Sequence, residues 1–523
     1  MNDLSNYKNC FFYGRNGNFA VAAILMAVTL FASAFACHAI AGERKITILY
    51  TNDTHSHLDS FDIAEVGKGI GGIERRAEYI KSVKKNAKNV LAVDAGDFFQ
   101  ETPYFAFFKG EADAKAIFQS NYDALTIGNH EFDAGVEKLV NTLKTENIPA
   151  VCCNLFNSDG HPLFRPFLMK NIAGLKIAVI GTLGNGAWSV VPKKSRAGLI
   201  FADAVTHTGK LVGLLRKHFD LIIVLSHSGL KDDQEMAIRL AGADVIIGGH
   251  SHTQIKEPVL VKNGAGNGLG GTIVTQDFKW GAFVGRLVLT FGDDGRLVSY
   301  ENAFVPMDSK IKTPKNSAVK KTMERYRREI NSKVREVVGE CPDGMPYDEI
   351  AASKTEFALG TYVCGVMMKA TGSDFGFINA SGVRGSLPPG RVTIEDVMKI
   401  VPFDNSIVSC EMTGAQVMAM FDGIAANFGG ETGLQYAGVS FNLDLSSKRI
   451  SALTIGGRPV DPQKTYKLCT ISYLAEGNLN GAVLLKDAVN LNDSGVFLRD
   501  GLLEHIRANK TIEPPATGNF SIK

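Results

Sequence analysis

The sequence predicts an α/β fold with two domains, the second of them smaller, and three observations support this prediction. Residues 45–300 alternate apolar runs with amphipathic helical stretches, as βαβ units do. The apolar runs are four to six residues long and rich in Val, Ile and Leu, which is typical of buried parallel strands. A length of 523 residues is itself more than one domain usually needs.

Composition excludes several classes of protein. Hydrophobic residues make up 45% of the chain and charged residues 21%, as in an ordinary soluble globular protein. The net charge of +2 provides no basic surface for a nucleic acid polymer, so we expect none as a partner. One basic run around Lys320 is interleaved with Glu324 and Glu329 and is expected to be a solvated helix face.

Residues 1–41 are predicted to be a signal peptide. Lys8 and Arg15 precede an apolar stretch over residues 19–35, and two small-x-small sites, ending at Ala36 and Ala41, follow it. An uncleaved anchor is the alternative, because the stretch is about long enough to cross a bilayer, and a lipid-modified Cys37 is another. We expect export to the periplasm or the cell exterior, with no membrane span after cleavage.

The first domain is predicted over residues 42–305, with helices over 72–85, 136–146 and 204–218. Towards its end, closely spaced strands separated by Gly-rich turns are typical of antiparallel hairpins. Gly266, Gly268 and Gly271 match the spacing of a dinucleotide-binding loop. This match is rejected because the loop joins a strand to a strand, whereas the motif requires a following helix.

A linker is predicted over residues 306–338, since residues 306–316 are polar and contain two prolines, and a charged helix follows over 317–338. The second domain is predicted over 339–523, with helices over 359–370, 394–400 and 414–426.

The eight cysteines do not have the spacing of a structural zinc site. Cys364, Cys410 and Cys469 lie in apolar contexts and are expected to be buried. The adjacent pair Cys152 and Cys153 has no interpretation from the sequence.

Five polar clusters, each directly after an apolar run, carry the chemistry of this chain. They are Asp53-Thr54-His55, Asp97, Asn129-His130-Glu131, His227 and His250-Ser251-His252. A single member of this set would more often be a satisfied core or capping residue. Five clusters at successive strand ends instead predict a ligand site along one rim of a sheet.

The donor atoms of these clusters suit two divalent cations of borderline or hard character, such as Zn²⁺ or Mn²⁺. Asp97 is the natural bridge between the ions, because it is the carboxylate of the middle cluster. Asp53 and His55 can face one ion, and Asn129 and His227 the other. His250 and His252 can divide between them.

The blocks ILYTNDTHSHLD, DAGD, GNHEFD, SHSG and GGHSHT resemble those of calcineurin-like metallophosphoesterases, and specifically of the two-domain 5′-nucleotidase family. The resemblance implies a four-layer sandwich followed by a C-terminal substrate domain. It also implies two metal sites, one formed by Asp53, His55, Asp97 and His252 and the other by Asp97, Asn129, His227 and His250.

Catalytic roles follow from the same resemblance. In the family, the His after the metal-binding Asn acts on phosphoryl oxygens and is supported by an Asp three residues later, here His130 and Asp133. In a first helical turn this spacing would place both side chains on one face. The alternative is that Asp133 only starts a helix, at the positive end of its dipole.

Segments of the second half resemble the family's substrate domain less closely. INASGVRG, VPFDN and TISYLAEG imply that Asn379 and Arg384 contact nucleotide or phosphate, and that Phe403 and Tyr473 stack on a base. For Phe403, core packing is the alternative. A nucleotide is therefore the expected small-molecule substrate.

Two departures from the family pattern bear on specificity. Ser353, Lys354 and Glu356 stand where an Arg usually precedes the acidic residue, and Thr361 stands where Asn is common. Asn480 replaces the Asp that holds ribose hydroxyls. A 5′-nucleotidase is the main expectation. A 2′,3′-cyclic nucleotide phosphodiesterase, a UDP-sugar hydrolase, a thiosulfohydrolase and a non-catalytic binding protein remain alternatives.

Overall fold

The computed structural model describes residues 44–63, 66–192, 195–264, 268–428, 433–479 and 481–522. The signal segment predicted over residues 1–41, with Cys37, and the predicted contact residue Asn480 lie outside the described residues. Among the described residues, no helix is long and apolar enough to cross a membrane.

The described chain forms two compact units. The first runs to Gln100 and resumes over Phe108–Tyr326, and the second consists of Glu101–Phe107 and the residues from Arg327 onward. The short segment Glu101–Phe107 therefore belongs to the second unit although it lies within the first half of the sequence.

The central strands of the first unit are buried apolar runs, as in the all-buried LIIVLSH, VIIG and GTIVTQ. In chain order they are β1 Arg44–Thr51, β2 Ser60–Ile63, β3 Gly67–Gly71, β4 Val90–Asp94, β5 Ala124–Leu125, β6 Leu155–Asn157, β7 Phe167–Ile172, β8 Leu175–Leu183, β9 Leu199–Phe201, β10 Leu221–His227, β11 Val245–Gly248, β12 Val259–Lys262, β13 Gly271–Gln276, β14 Phe283–Phe291 and β15 Leu297–Pro306.

The helices up to residue 334 are α1 Ile73–Asn86, α2 Pro103–Phe108, α3 Glu111–Gln119, α4 Val136–Thr145, α5 Asn185–Val190, α6 Ala204–Leu215, α7 Leu230–Arg239 and α8 Ala318–Val334. A 3₁₀ turn spans His130–Phe132. The predicted helices are present, each ending within a few residues of its prediction, except that α8 stops at Val334. It stops there because the chain enters a strand at Val337.

Two sheets form the centre of the first unit. Their strand orders are β15-β14-β1-β4-β5 and β12-β13-β11-β10-β8-β7. Strands β1, β4 and β5 are parallel to one another, and so are β8, β10, β11 and β13. β12 and β13 pair as an antiparallel hairpin, as expected where the dinucleotide motif was rejected.

A single hydrophobic core joins the two sheets. Ile48 and Val93 of one sheet pack in the same cluster as Val179 and Ile223 of the other, all of them inaccessible to solvent. The opposite face of the second sheet packs against α6 and α7 through residues such as Leu211 and Met236. α1 and α3 contact each other, and α1 contacts β4. The predicted layered α/β sandwich is confirmed.

The second unit has its own sheets and helices. Its elements are β16 Val337–Cys341, α9 Glu349–Ala352, α10 Ala358–Thr371, β17 Phe375–Asn379, β18 Gly390–Thr393, α11 Ile394–Ile400, β19 Ser406–Thr413, α12 Gly414–Ala426, β20 Leu434–Ala437, β21 Val439–Asp444, β22 Arg449–Ile455, β23 Arg458–Pro459, β24 Thr465–Ile471, α13 Ser472–Ala475, α14 Gly481–Leu484, β25 Val489–Phe497, α15 Leu498–Asn509 and β26 Phe520–Ile522.

The main sheet of the second unit has the order β20-β17-β24-β19-β25, and a second sheet has the order β23-β22-β21-β26. α11 and α12 begin where the sequence predicts, because Thr393 and Thr413 each form a capping box with the residue three positions later. Cys364, Cys410 and Cys469 are buried in the core of this unit as expected.

Candidate metal centre

All five polar clusters lie at carboxyl ends of parallel strands. Asp53, Asp97 and Asn129 follow β1, β4 and β5, while His227 ends β10 and His250 follows β11. The strand-end placement expected from the sequence is therefore present in both sheets of the first unit.

Three groups of side chains converge there closely enough to share a cation. The groups are Asp53, His55 and His252; His55, Asp97 and His130; and Asp97, His227 and His250, with their ligand atoms within 4.8 Å of one another in each group. His55 and Asp97 each belong to two groups. Asn129 also lies at this point, since the N–H of the following residue, His130, donates to Asp97 Oδ1 at 2.8 Å.

The backbone is strained where it presents these side chains. Positive φ angles occur at Asp53 (48°), His55 (43°), Asp97 (55°), His250 (76°) and His252 (52°). A non-glycine residue is uncommon in this region, and such residues cluster at functional sites. At these five positions the left-handed backbone accompanies side chains whose ligand atoms converge on the same site.

Two glycines allow the loops to approach closely. A Cβ at Gly128 would lie 2.2 Å from Asp97 Oδ1, and a Cβ at Gly249 would lie 2.8 Å from His227 Nδ1. Both glycines come directly before a cluster residue, Asn129 or His250. Any side chain there would displace a candidate ligand.

Hydrogen bonds fix the direction of the ligand atoms. His227 Nδ1 lies 2.8 Å from the Ala95 carbonyl oxygen, so this nitrogen donates and Nε2 faces the centre. Asp53 accepts from the His250 N–H at 3.0 Å and from Asn52 Nδ2 at 2.6 Å. His55 Nε2 and His252 Nε2 face each other at 3.0 Å.

The residues fit a pair of divalent cations. His227 Nε2 and Asn129 Oδ1 are buried and form no hydrogen bond, although His227 Nε2 lies only 3.0 Å from Asp97 Oδ2. Buried polar atoms of this kind normally have a partner, and both of these atoms are good metal ligands. A cation would supply the missing partner.

The pKa values of the candidate ligands also fit a site for cations. Burial raises the pKa of Asp53 to about 7, with the charge of Asp97 adding to the rise. Burial alone would lower the pKa of His227, but the carboxylates of Asp97 and Asp53 raise it to about 10. Burial opposes the charged form of Asp97 too, yet the imidazoles of His227 and His130 hold its pKa well below the usual value. Cations binding here would replace protons.

His130 and Asp133 are in contact across one helical turn, as their spacing predicts. His130 Nδ1 lies 2.8 Å from Asp133 Oδ2. His130 begins a 3₁₀ turn of which Asp133 is the C-cap, and α4 begins only at Val136, after Gly135 (φ 85°). The helical turn is therefore of the 3₁₀ type, and the alternative, that Asp133 starts a helix, was wrong.

Three residues to which the sequence assigned no role support this centre. Gln100 Nε2 donates to Asp133 Oδ2 at 2.7 Å, and Asn52 holds Asp53. The Glu131 carboxylate accepts hydrogen bonds from the N–H groups of Asp97 and Gly128, in the loops after β4 and β5. In the sequence Asn52 is adjacent to the predicted ligand Asp53 and Glu131 to His130, whereas nothing local marks Gln100.

In the second unit, three of the predicted substrate residues lie at one edge of the main sheet. Asn379 ends β17, Tyr473 follows β24, which is parallel to β17, and Phe403 precedes β19, which is antiparallel to β24. The N–H of Ser406 donates to Ser472 Oγ at 3.1 Å and links the last two segments. Asn379 is 4% exposed, and its Oδ1 forms no hydrogen bond.

The fourth predicted substrate residue, Arg384, is held by two carboxylates. Its guanidinium forms ion pairs with Glu349, at 2.5 Å, and with Glu101, and its side chain is 8% exposed. Glu101 belongs to the short segment that packs with the second unit. An anionic ligand of Arg384 would compete with these carboxylates for the guanidinium.

Two of the residues that depart from the family pattern, Glu356 and Thr361, have a structural role. Glu356 Oε2 accepts from the N–H groups of Gly518 and Asn519 at 2.7 and 2.8 Å, and Glu356 Oε1 accepts from Thr361 Oγ1 at 2.9 Å. These contacts hold the chain just before β26.

The nitrogen and oxygen ligands at these strand ends form groups that share His55 and Asp97. Two cations held in this way can promote the hydrolysis of a phosphate ester. The chain is a metal-dependent phosphate ester hydrolase. Residues 46–254 match the model of the calcineurin-like phosphoesterases, and residues 337–486 match that of the 5′-nucleotidase C-terminal domain. The protein belongs to the 5′-nucleotidase family, whose members join these two domains.

Relatives of known name agree with this assignment. Human 5′-nucleotidase is 26% identical over 92% of this chain and 91% of its own length. A trifunctional nucleotide phosphoesterase from Bacillus subtilis, YfkN, is 27% identical over 86% of this chain, which spans only 33% of that protein. The crystal structure of a 5′-nucleotidase precursor from Thermus thermophilus superposes with a TM-score of 0.83 at 28% identity, covering 92% of this chain and 99% of that one.

Proposed function

We propose that this protein is an exported 5′-nucleotidase that hydrolyses nucleoside 5′-monophosphates to nucleoside and phosphate with two divalent ions. The observation that carries the proposal is the sharing of Asp97 between side-chain groups at the strand ends of both sheets. Relatives named 5′-nucleotidase support the choice of substrate. Export rests on the predicted signal segment over residues 1–41.

In this proposal one ion is held by Asp53, His55, Asp97 and His252, and the other by Asp97, Asn129, His227 and His250. Asn129 Oδ1 and His227 Nε2, which are buried and form no hydrogen bond, support the second set. When bound, such a pair of ions clamps a phosphoryl group and lowers the pKa of a water molecule. Because Asp53, His55 and His227 are inaccessible to solvent, water does not compete for their ligand atoms.

His130 is proposed to act on the substrate itself. A carboxylate can only accept hydrogen bonds, so Asp133 Oδ2 holds the proton on His130 Nδ1 and leaves Nε2 for a phosphoryl or leaving-group oxygen. Gln100 donates to the same carboxylate oxygen and keeps Asp133 in place. With Nδ1 held by Asp133, His130 presents an oriented Nε2, which donates to developing negative charge when the imidazole is protonated on both nitrogens.

The second unit is proposed to select the substrate. Phe403 and Tyr473, at the same sheet edge, are assigned to the nucleobase, since each base-aromatic stack contributes about 1–3 kcal/mol. Asn379 and Arg384 are assigned to polar groups of the nucleotide. An anion bound by Arg384 would then compete with the carboxylate of Glu349, whose side chain is 30% exposed.

The test combines metal analysis with a substrate panel. Wild type reconstituted with Mn²⁺ or Zn²⁺ is expected to hold two ions per chain, Asp97→Ala to lose both, and His55→Ala to lose mainly one. Asp123→Asn is the control, because Asp123 pairs with Lys84 and Lys170 instead of facing the centre. Phosphate release is then measured from 5′-monophosphates, 2′,3′-cyclic nucleotides and UDP-sugars. One ion or none in active wild type would refute the two-metal proposal.

A further inference from the structure

Glu131 is a buried carboxylate that no part of the proposed chemistry uses. Its side chain is inaccessible to solvent, although it lies between Asn129-His130 and Asp133, all assigned to the centre. Among the described residues, both of its oxygens accept hydrogen bonds from backbone N–H groups and not from a candidate ligand side chain.

Four backbone N–H groups donate to this carboxylate. Oε1 accepts from Phe98 at 2.9 Å and Phe99 at 3.1 Å, and Oε2 accepts from Asp97 at 2.9 Å and Gly128 at 2.6 Å. A carboxylate has about four acceptor positions, two on each oxygen. The four donors therefore saturate Glu131 and leave none of its lone pairs for a cation.

The donors come from two different loops. Asp97, Phe98 and Phe99 follow β4, whereas Gly128 follows β5 and directly precedes Asn129. Asp97 itself has a strained φ of 55°, so its loop needs outside support to keep this shape. Glu131 supplies that support by accepting hydrogen bonds from three successive N–H groups of this loop.

We propose that Glu131 is a positioning residue that joins the Asp97 loop to the Gly128 loop and so fixes the separation of Asp97 and Asn129. The inference rests on the proposed function, in which both residues hold metal. Groups that orient ligands from behind change metal affinity by about 10–100-fold when they are removed. Glutamine in place of Glu131 would keep the shape but turn an NH₂ group towards two N–H donors.

The test uses Glu131→Gln and Glu131→Asp, with Asp123→Asn as a matched control. Asp123 also accepts a backbone hydrogen bond, from the Ala92 N–H at 2.9 Å, but away from the centre. Binding of Mn²⁺ to metal-free protein is measured by calorimetry, and backbone hydrogen exchange is measured peptide by peptide.

We expect Glu131→Gln to bind Mn²⁺ about 10–100-fold more weakly. Exchange should become about tenfold faster in peptides with Asp97–Phe99 and Gly128, with no change around Ala92. Asp123→Asn should show the reverse pattern, with faster exchange only around Ala92 and Mn²⁺ affinity within about twofold of wild type. Glu131→Asp keeps the charge but has a shorter reach, and should lose less affinity than Glu131→Gln.

A folded Glu131→Gln or Glu131→Asp protein with wild-type exchange and wild-type Mn²⁺ affinity would overturn the inference. Should Glu131→Gln fail to fold, the Glu131→Asp protein alone decides by the same two measurements. Failure of the proposed function is a separate result, because it would show as wild-type protein that binds no Mn²⁺.

Discussion

At the scale of single residues, the centre depends on side chains whose backbone is held in uncommon conformations. Five of the proposed ligands have positive φ angles, and Gln100 (φ 82°) and Glu101 (φ 78°) continue the pattern beyond Asp97. Gln100 connects this strained loop to Asp133, and through it to His130. The loop after β4 therefore serves both the metal ligands and the residue proposed to act on the substrate.

The proposal for His130 predicts a loss of rate without a loss of metal. His130→Ala should lower kcat by about 10²–10⁴, the range for a positioned acid–base group, and metal content should stay at the wild-type value. The measurements are steady-state kinetics with a nucleoside monophosphate and elemental analysis of the same sample.

His207→Ala is the control for the loss of an imidazole elsewhere in the first unit, where His207 packs against Phe156. It should keep the wild-type kcat. Since His130 also belongs to a possible cation group with His55 and Asp97, a His130→Ala protein that loses metal would make His130 a ligand instead.

At the scale of elements, α3 places a carboxylate in the interior behind the metal loops. Asp113 lies in its first turn and is inaccessible to solvent. Burial raises the pKa of Asp113 to about 7, although Ser56 and Arg76 favour the charged form. The folded state thus holds a proton that the unfolded chain releases near pH 4.

This proton makes stability depend on pH in a definite direction. Between about pH 4 and pH 7 the folded protein binds more protons than the unfolded chain at Asp113, so the free energy of unfolding falls as pH rises. The slope is at most about 1.4 kcal/mol per pH unit. The contribution is complete below pH 4 and lost above pH 7.

Asp113→Asn should remove this dependence, because Asn does not ionise. Relative to wild type, the variant should gain about 2–3 kcal/mol between pH 5 and pH 8, as measured by urea unfolding of metal-free protein. Asp203→Asn is the control: the hydrogen bond from Thr206 helps lower the pKa of this exposed cap to about 2, so its contribution is the same at both pH values. Equal effects of Asp113→Asn at pH 5 and pH 8 would contradict the prediction.

At the scale of the whole molecule, the proposed chemistry and the proposed selectivity belong to different compact units. The candidate ligands all lie in the first unit, and Asn379, Phe403 and Tyr473 all lie at one sheet edge of the second. The two roles can therefore be separated by substitution.

Phe403→Ala is expected to raise KM for nucleotides by about one to two powers of ten, because one stacking partner of the base is lost. Hydrolysis of a simple aryl phosphate, which has no nucleobase, should be unaffected. Steady-state kinetics on both substrates provide the comparison.

Phe428→Ala is the matched control, since Phe428 is another partly buried aromatic residue of the second unit and packs against Phe520. It should leave both KM values unchanged. An equal loss on both substrates in Phe403→Ala would make Phe403 a core residue, the alternative that its apolar context also allows.

Much of the fold was predictable because it depends on short-range patterns. Runs such as LIIVLS and VIIG are short and rich in β-branched residues, which favours buried strands, and the capping boxes at Thr393 and Thr413 fix where α11 and α12 begin. The placement of polar clusters at strand ends followed, since parallel strands bring their carboxyl ends to one rim.

Tertiary structure alone decided which distant groups meet. Glu101 packs with the second unit and pairs with Arg384, 283 residues later, and Gln100 reaches Asp133 across 33 residues. The type of the turn at His130 was also open from the sequence: it is 3₁₀, and the α-helix begins only after Gly135. Local sequence carries hydrophobic periodicity and capping, whereas the four donors on Glu131 depend on how β4 and β5 lie side by side, which only the folded chain determines.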